Sequence, residues 1–412
     1  MSVDGWSVGP FGLDNGKGAT LSGLRTVLMV VHHLTSATRL ADVAPLVERD
    51  RRIQTVYTVA PTSALTAGTA HHLAASGAVV VPFEQASQTQ FDLAVAAGDG
   101  ALERIHAPVL VLQHGAGPAK LARRWDGAGP PAAPPIAGLR REAIVAGGRV
   151  IPSVLAFAHR DHRDALERIC PEALPVARIV GDPAYDRLLA SLPFRDRHRA
   201  ALGVADGRRL VVVSSTWGSR ALLGRHRDLV RQLALDLPSE EYRIVMAVHP
   251  VVWSWHGFRQ LTAWYDDCLR LGVGLLPFHE GWRAALAAAD LVIGDHGSVT
   301  AYGAAAGVPV LLGAFPADEV VPGSLSDLLG RCAPHLDPHR PLLGQVQDAI
   351  ANPCSRVPLC DRLTSEPGRA AVLLRREMYS LMGIEEPAEP PAAEPVPPPE
   401  LITCHRERSG LS

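Results

Sequence analysis

At 412 residues the chain is too long for one ordinary hydrophobic core and suits two domains of ordinary size. With 47% hydrophobic and 20% charged residues it is globular in composition, and a net charge of −2 supplies no basic face for a nucleic-acid partner. No run reaches the roughly 18 apolar residues of a membrane span, and the Gly-rich N-terminus lacks a signal-type apolar core, so we expect a cytoplasmic protein, at most peripheral to the inner face of a membrane.

In chain order, short Val-rich apolar runs come first, at 26–32, 53–59, 78–82, 93–97 and 108–113. Helical patterns at 39–49 and 67–76 lie between them. Apolar runs of this kind, alternating with helices, are the mark of a parallel sheet buried on both faces. A Pro/Gly/Ala loop at 126–138 follows, then strands at 153–159 and 177–180 and a connecting helix at 188–202. A second alternating series starts near 208, with strands at 209–215, 243–249, 273–277, 291–294 and 309–312. Its helices fall at 225–235, 258–271, 280–288 and 299–306, and a last helix occupies 368–382.

The predicted fold class is α/β, with two Rossmann-like lobes, parallel sheets and an interdomain cleft. The predicted division is an N-terminal extension (1–25), an N-terminal acceptor lobe (26–205), a C-terminal nucleotide-donor lobe (206–366), a C-terminal helix (367–383) and a Pro/Glu-rich tail expected to be disordered (384–412). The six cysteines are scattered and form no CxxC pair, so neither zinc nor a disulfide framework is expected. No metal site and no cofactor are expected either. Asp266-Asp267 falls inside a helical pattern rather than after a strand.

In open parallel sheets ligands bind beyond the carboxyl ends of the strands, so the loops there are the candidate sites. After the first strand come His32 and His33, which either serve a substrate as base or phosphate ligand or stand beside a helix capped by Thr35 or Ser36. His114 follows a buried strand within Gln113-His114-Gly115-Ala116-Gly117-Pro118-Ala119-Lys120. Lys120 is one of only two lysines, the other being Lys17, and an ammonium is a point charge suited to phosphate. His249 also ends a strand, and Pro250 after it favours an extended backbone.

Asp295-His296-Gly297-Ser298-Val299-Thr300 joins a strand to a helix, where free N–H groups and small hydroxylated residues receive anions. Ser214 to Arg220, containing Thr216, suits a diphosphate or the acceptor. The candidate catalytic residues are therefore His114, His249 and His33. The candidate donor- and phosphate-binding residues are Lys120, Thr216, Arg220, Asp295, His296, Gly297, Ser298 and Thr300.

These motifs, in this order, resemble the CDP-glycerol glycerophosphotransferase family of teichoic-acid polymerases and primases. His114-Gly115 with Lys120 matches its His-Gly motif, and Gly181-Asp182-Pro183-Ala184-Tyr185-Asp186 its G-x-P-x-x-D segment. Ser215-Thr216-Trp217 is similar to its P-T-W strand end, His249-Pro250 to its His-Pro motif, and Asp295 to Ser298 to its nucleotide loop. The likeness runs from about 26 to 382.

It implies a GT-B architecture and a cytoplasmic transferase of cell-envelope biosynthesis. A glycerol-phosphate, polyol-phosphate or glycosyl group would pass from a CDP-linked or other nucleotide donor to an acceptor hydroxyl. It also implies that one of His114 and His249 is the base while the other stabilises the diphosphate, with Ser298 and its helix start taking the phosphates. The nucleotide loop departs from the family in having His296 and Gly297, and His32-His33 has no family counterpart. The transferred group and the choice of base, His114 or His33, therefore stay open.

The expected reaction is a direct displacement without a covalent intermediate or metal. Three other readings compete: a nucleotide-sugar glycosyltransferase, an epimerase acting on nucleotide sugars, and a non-catalytic binding protein of the same fold.

Overall fold

The structure is a computed structural model that describes residues 2–3, 6–7, 20–62, 66, 68–121, 136 and 138–402. Lys17, nearly all of the 126–138 loop and residues 403–412 lie outside the described residues. The chain divides into two units, the first comprising Met1–Arg187, Ala317–Leu328 and Val357–Glu394, the second Leu188–Pro316, Leu329–Arg356 and Pro395–Ser412.

Unit 1 is built on a seven-stranded sheet: β1 (Arg25–Val31), β2 (Ile53–Val59), β3 (Val80–Val81), β4 (Leu93–Ala96), β5 (Val109–Leu112), β6 (Val154–Phe157) and β7 (Ala177–Ile179). The order is β7-β6-β5-β4-β1-β2-β3, all parallel. The central strand explains the continuous apolar run: Val27 to Val31 are all fully buried, so side chains on both faces must be apolar. One face packs Leu40 and Val43 of α1 (Leu34–Val43) and Leu374, Met378 and Tyr379 of the C-terminal helix Ala370–Met382. The C-terminal helix thus shares the core of unit 1. A second helix, α2 (Pro183–Ser191), follows β7.

Unit 2 is a five-stranded parallel sheet: β8 (Arg209–Ser215), β9 (Tyr242–Val248), β10 (Gly274–Leu275), β11 (Leu291–Gly294) and β12 (Val310–Leu312), in the order β10-β9-β8-β11-β12. Its helices include α3 (Arg195–Ala201), α4 (Pro250–His256), α5 (Phe258–Trp264), α6 (Trp282–Ala288) and α7 (Ser298–Ala306). The first passage between the units falls at 187/188, ahead of the expected boundary at 205. The reason is that α3 docks inside unit 2, where Arg195 donates to the carbonyls of Ala287 and Ala289 at 3.0 and 2.9 Å and pairs with Asp290 at 2.7 Å.

The Pro/Glu-rich tail differs from the disorder that its composition led us to expect. Within unit 1 Arg49 forks onto Glu394 at 2.5 and 2.9 Å. Within unit 2 Val396 is buried, its N–H donates to Ser191 Oγ at 2.9 Å, and Ile402 N–H donates to the Leu275 carbonyl at 2.9 Å. Proline-rich chain has little conformational entropy to lose, and a few anchors suffice to order it.

Candidate functional site

In unit 1 the carboxyl edge of the sheet gathers histidines. His33 follows β1 and is the N-cap of α1, with φ −164° and ψ 173°. Its Nδ1 accepts from Ser36 N–H at 3.1 Å, and Ser36 Oγ reciprocates by accepting from the N–H of His33 at 3.0 Å and of His32 at 2.8 Å. His33 is therefore itself the cap, with Ser36 completing a reciprocal box. An imidazole whose Nδ1 accepts carries its proton on Nε2 when neutral, which makes His33 Nε2 a hydrogen-bond donor.

The ring of His114, after β5, meets His33 edge-on at 4.9 Å between centroids and 80° between planes. The backbone of Ala97 favours a proton on the His114 ring, and a neutral ring that turns its N–H to that carbonyl keeps a lone pair on the other nitrogen. Burial first, then the neighbouring charge of His114, pulls His33 down to about 3. Desolvation, then Arg39 and His32, pulls His114 down to about 4, although the residue is open to solvent at its outer edge. Both rings are neutral at pH 7, and Lys120 is near enough for its charge to be felt at His114.

Sequence reasoning missed Arg39, which holds this loop in place. Arg39 is 5% exposed; it donates to Asp182 Oδ1 at 2.9 Å and to the Gly115 carbonyl at 2.7 Å, directly beside His114. Asp182 Oδ1 also accepts from Ala184 and Tyr185 N–H at 2.9 and 3.0 Å, capping α2. The G-x-P-x-x-D segment is thus a structural joint. Gly181 has φ +85° and a Cβ there would lie 2.7 Å from the Glu366 carbonyl oxygen, while Asp186 accepts from Gly368 and Ala370 N–H at 2.7 and 2.9 Å at the start of the C-terminal helix. Arg39→Lys keeps the charge but gives up the fork. We expect it to cost about 1–3 kcal/mol, measured as a lower urea midpoint with unchanged slope. Gln113, also missed, lines the same small cavity with Arg39 and Gly115, and its buried amide has no hydrogen-bond partner among the described residues.

In unit 2 the motif residues meet at the carboxyl ends of β8, β9 and β11. Asp295 is fully buried, and its Oδ2 accepts from Thr216 and Leu222 N–H, both at 2.9 Å, while Oδ1 accepts from Gly297 N–H at 2.9 Å. It clamps the β8 loop to the β11 loop, so its oxygens face protein rather than a ligand. Thr300 is likewise fully buried and its side chain faces inward, which leaves its backbone amide in the first turn of α7.

His296 is buried, Ser298 is half-buried at the first position of α7, and Arg220 is half-buried on the β8 loop. Gly297 is the N-cap and contributes no side-chain cap, so the helix opens on backbone amides. A Cβ on Gly297 would stand 2.9 Å from Asp295 Oδ1 and 3.2 Å from Thr216 Cβ, so a side chain here would crowd the Asp295 clamp. His249 caps α4, its Nδ1 accepting from Val251 N–H at 3.1 Å, so its Nε2 also carries the proton when neutral. Trp217 on the β8 loop is 44% exposed.

A recess of about 510 Å³ in unit 2 lies elsewhere, at the amino ends of the strands beside Arg209, Asp290 and Pro309. It contains none of the motif residues, and Arg195 there is already bonded to Ala287, Ala289 and Asp290. The sequence motifs and this recess thus lie at opposite ends of the unit 2 strands.

No protein-family model matches the chain. It is 32% identical over 158 residues to the UDP-N-acetylglucosamine–N-acetylmuramyl-(pentapeptide) pyrophosphoryl-undecaprenol N-acetylglucosamine transferase of Burkholderia multivorans, a match spanning 35% of this chain and 38% of that protein. Among solved structures, a histidine-to-asparagine variant of the wall teichoic acid polymerase TagF is similar with a TM-score of 0.57 at 12% identity, over 88% of this chain and 90% of that one. The same variant soaked with CDPG gives 0.57 at 13% identity, over 87% and 89%. TagF without the substitution gives 0.51 at 12%, over 88% and 90%. At such identities the likeness is one of fold, and the chain has the GT-B type of α/β fold, with a Rossmann-like sheet in each unit.

Proposed function

We propose that the chain transfers a glycosyl or polyol-phosphate group from a nucleotide-activated donor to an acceptor hydroxyl, by direct displacement and without a metal. The observation that carries this reading is the division of labour among the histidines. His114 keeps a ring lone pair and suits a general base, whereas His33 and His249 present Nε2–H donors. His114 takes the acceptor proton. His249, the opening amides of α7 with Ser298, and Arg220 stabilise charge gathering on the leaving nucleotide phosphate. Lys120 orients a phosphate at the acceptor side, while Asp295 and Gly297 hold the donor loop in shape.

The likeness to an N-acetylglucosamine transferase supports the glycosyl form, and the motif order supports glycerol phosphate. The two are separated by thermal shift with CDP-glycerol and with UDP-, GDP- and TDP-sugars. A donor at 100 times its Kd adds about 2.7 kcal/mol, enough to rank them. We expect one nucleotide class to stabilise the protein and to turn over in the presence of EDTA. Stabilisation by none of them would overturn the reading, and binding without turnover would assign the chain to the non-catalytic alternative.

A further inference from the structure

Unit 2 brings together two thiols that the transfer reaction does not use. Cys332 is the last residue of the helix Leu325–Cys332 and is exposed, while Cys354 lies half-buried in the irregular stretch that follows the helix Leu342–Ala351. Both are free. Their side chains meet. The Cys354 thiol hydrogen-bonds Cys332, whose own Sγ–H turns to the Leu329 carbonyl at 3.7 Å and so leaves its lone pairs for Cys354. The contact is made by the fold, since a whole helix separates the two residues in the chain.

The other described cysteines sit differently. Cys170 and Cys268 are buried in the hydrophobic cores of unit 1 and unit 2, and Cys360 donates to the Val357 carbonyl at 3.3 Å. Thiol–disulfide exchange needs one accessible sulfur and a second sulfur beside it, and Cys332 with Cys354 supplies both. The surroundings also set an order. Burial, then Cys332, pushes the Cys354 thiol up to about 12, which keeps it protonated while the exposed Cys332 reacts first. Cys332 ends a helix and Cys354 stands outside any, so the sulfurs close from contact to bond by local movement, without breaking a helix interior.

We propose that Cys332 and Cys354 form an oxidation site, at which a small-molecule disulfide such as oxidised glutathione converts the two thiols into an intramolecular disulfide. The Cys332 thiolate attacks one sulfur of the reagent and expels a glutathione thiolate, leaving a mixed disulfide. Cys354 then gives its proton to solvent, attacks the Cys332 sulfur and expels the second glutathione. The protein loses two protons and two electrons, and one glutathione disulfide becomes two thiols. The bond closes residues 332–354 into a loop around the helix Leu342–Ala351, whose Leu342, Val346 and Ala349 belong to the core of unit 2. Such a cross-link removes freedom from the unfolded chain, so oxidised unit 2 is the more stable form. Where thiols are kept reduced the pair stays open, and the bond forms on oxidation. The site is tested without donor or acceptor, so its failure is separate from failure of the transfer reading.

The test is incubation of the reduced full chain with oxidised glutathione at about pH 8, followed by peptide mapping and a thermal melt. A cross-linked peptide joining Cys332 to Cys354, two hydrogens lighter than the sum of its parts, is expected, and dithiothreitol is expected to restore both thiols. The oxidised chain is expected to melt at least ~3 °C above the reduced one. Cys354→Ser is expected to stop at a lasting glutathione adduct on Cys332, and Cys332→Ser to leave Cys354 largely unmodified. Mapping of the intact chain decides the pairing even where a variant folds poorly. A chain that keeps both thiols free, that joins either of them to another cysteine, or that is bridged with no rise in melting temperature overturns the proposal. So does a bond that forms only between two copies of the chain, seen as a dimer on a non-reducing gel.

Discussion

His114→Ala is expected to lower turnover roughly 10²- to 10⁴-fold, the usual worth of a positioned general base, with donor-induced thermal stabilisation retained. The retention follows because the donor-loop residues belong to unit 2 and His114 to unit 1. The pH dependence supplies a second readout. A base must be neutral, and surroundings that hold His114 well below 6.5 keep it neutral as the solution is acidified. The acid limb of kcat/KM should therefore fall below the ordinary histidine value, toward about 4. The sign for stability is the same. His33 and His114 have folded values below the unfolded 6.5, so their contribution is fully present above 6.5 and is lost as pH falls toward about 3 to 4. Turnover within about threefold of the parent, or an acid limb at the ordinary value, would sink the assignment.

Asp295→Ala is expected to destabilise unit 2 by about 3–6 kcal/mol and to abolish donor stabilisation. Three backbone amides, of Thr216, Leu222 and Gly297, donate to this fully buried carboxylate. Each loses its acceptor at about 1–3 kcal/mol, less whatever the loops recover by relaxing. Asp295→Asn should be nearly as damaging, because its NH₂ would oppose amides that also donate. Urea denaturation followed by far-UV circular dichroism measures the first effect and the donor thermal shift the second. A stable Asp295→Ala protein that still binds donor would mean that the two loops need no clamp.

The central strands were legible because they are buried on both faces. The runs expected at 209–215 and 291–294 coincide with β8 and β11. Helices with narrow apolar stripes were not legible: in Arg160–Ile169 only Ala165 and Leu166 are buried. The segment Pro250–His256 shows no polar period and merges with the apolar strand before it. The return of 317–328 and 357–394 to unit 1 left no compositional trace.

At the site, the positions of the histidines were legible from the strand-end rule, and their hydrogen-bonding roles were not. Those roles depend on Ser36 N–H, Val251 N–H and the Ala97 carbonyl, which only the folded backbone supplies. Arg39 and Asp182, 143 residues apart, could not be paired in advance.

Among the described residues, three helices begin on a histidine whose Nδ1 accepts a backbone N–H: α1 at His33, α4 at His249 and the helix Arg160–Ile169 at His159. Serine, threonine, asparagine and aspartate usually fill that place, and they hold their caps through mild acid. An imidazole cap works by a lone pair that a proton removes. At these three strand ends, acid that silences a ring nitrogen also unfastens a helix by about 1 kcal/mol. Acid strong enough to protonate His33, which burial holds down to about 3, would therefore loosen the start of α1 beside His114, so that recovery after neutralisation has to wait for that helix end to re-form.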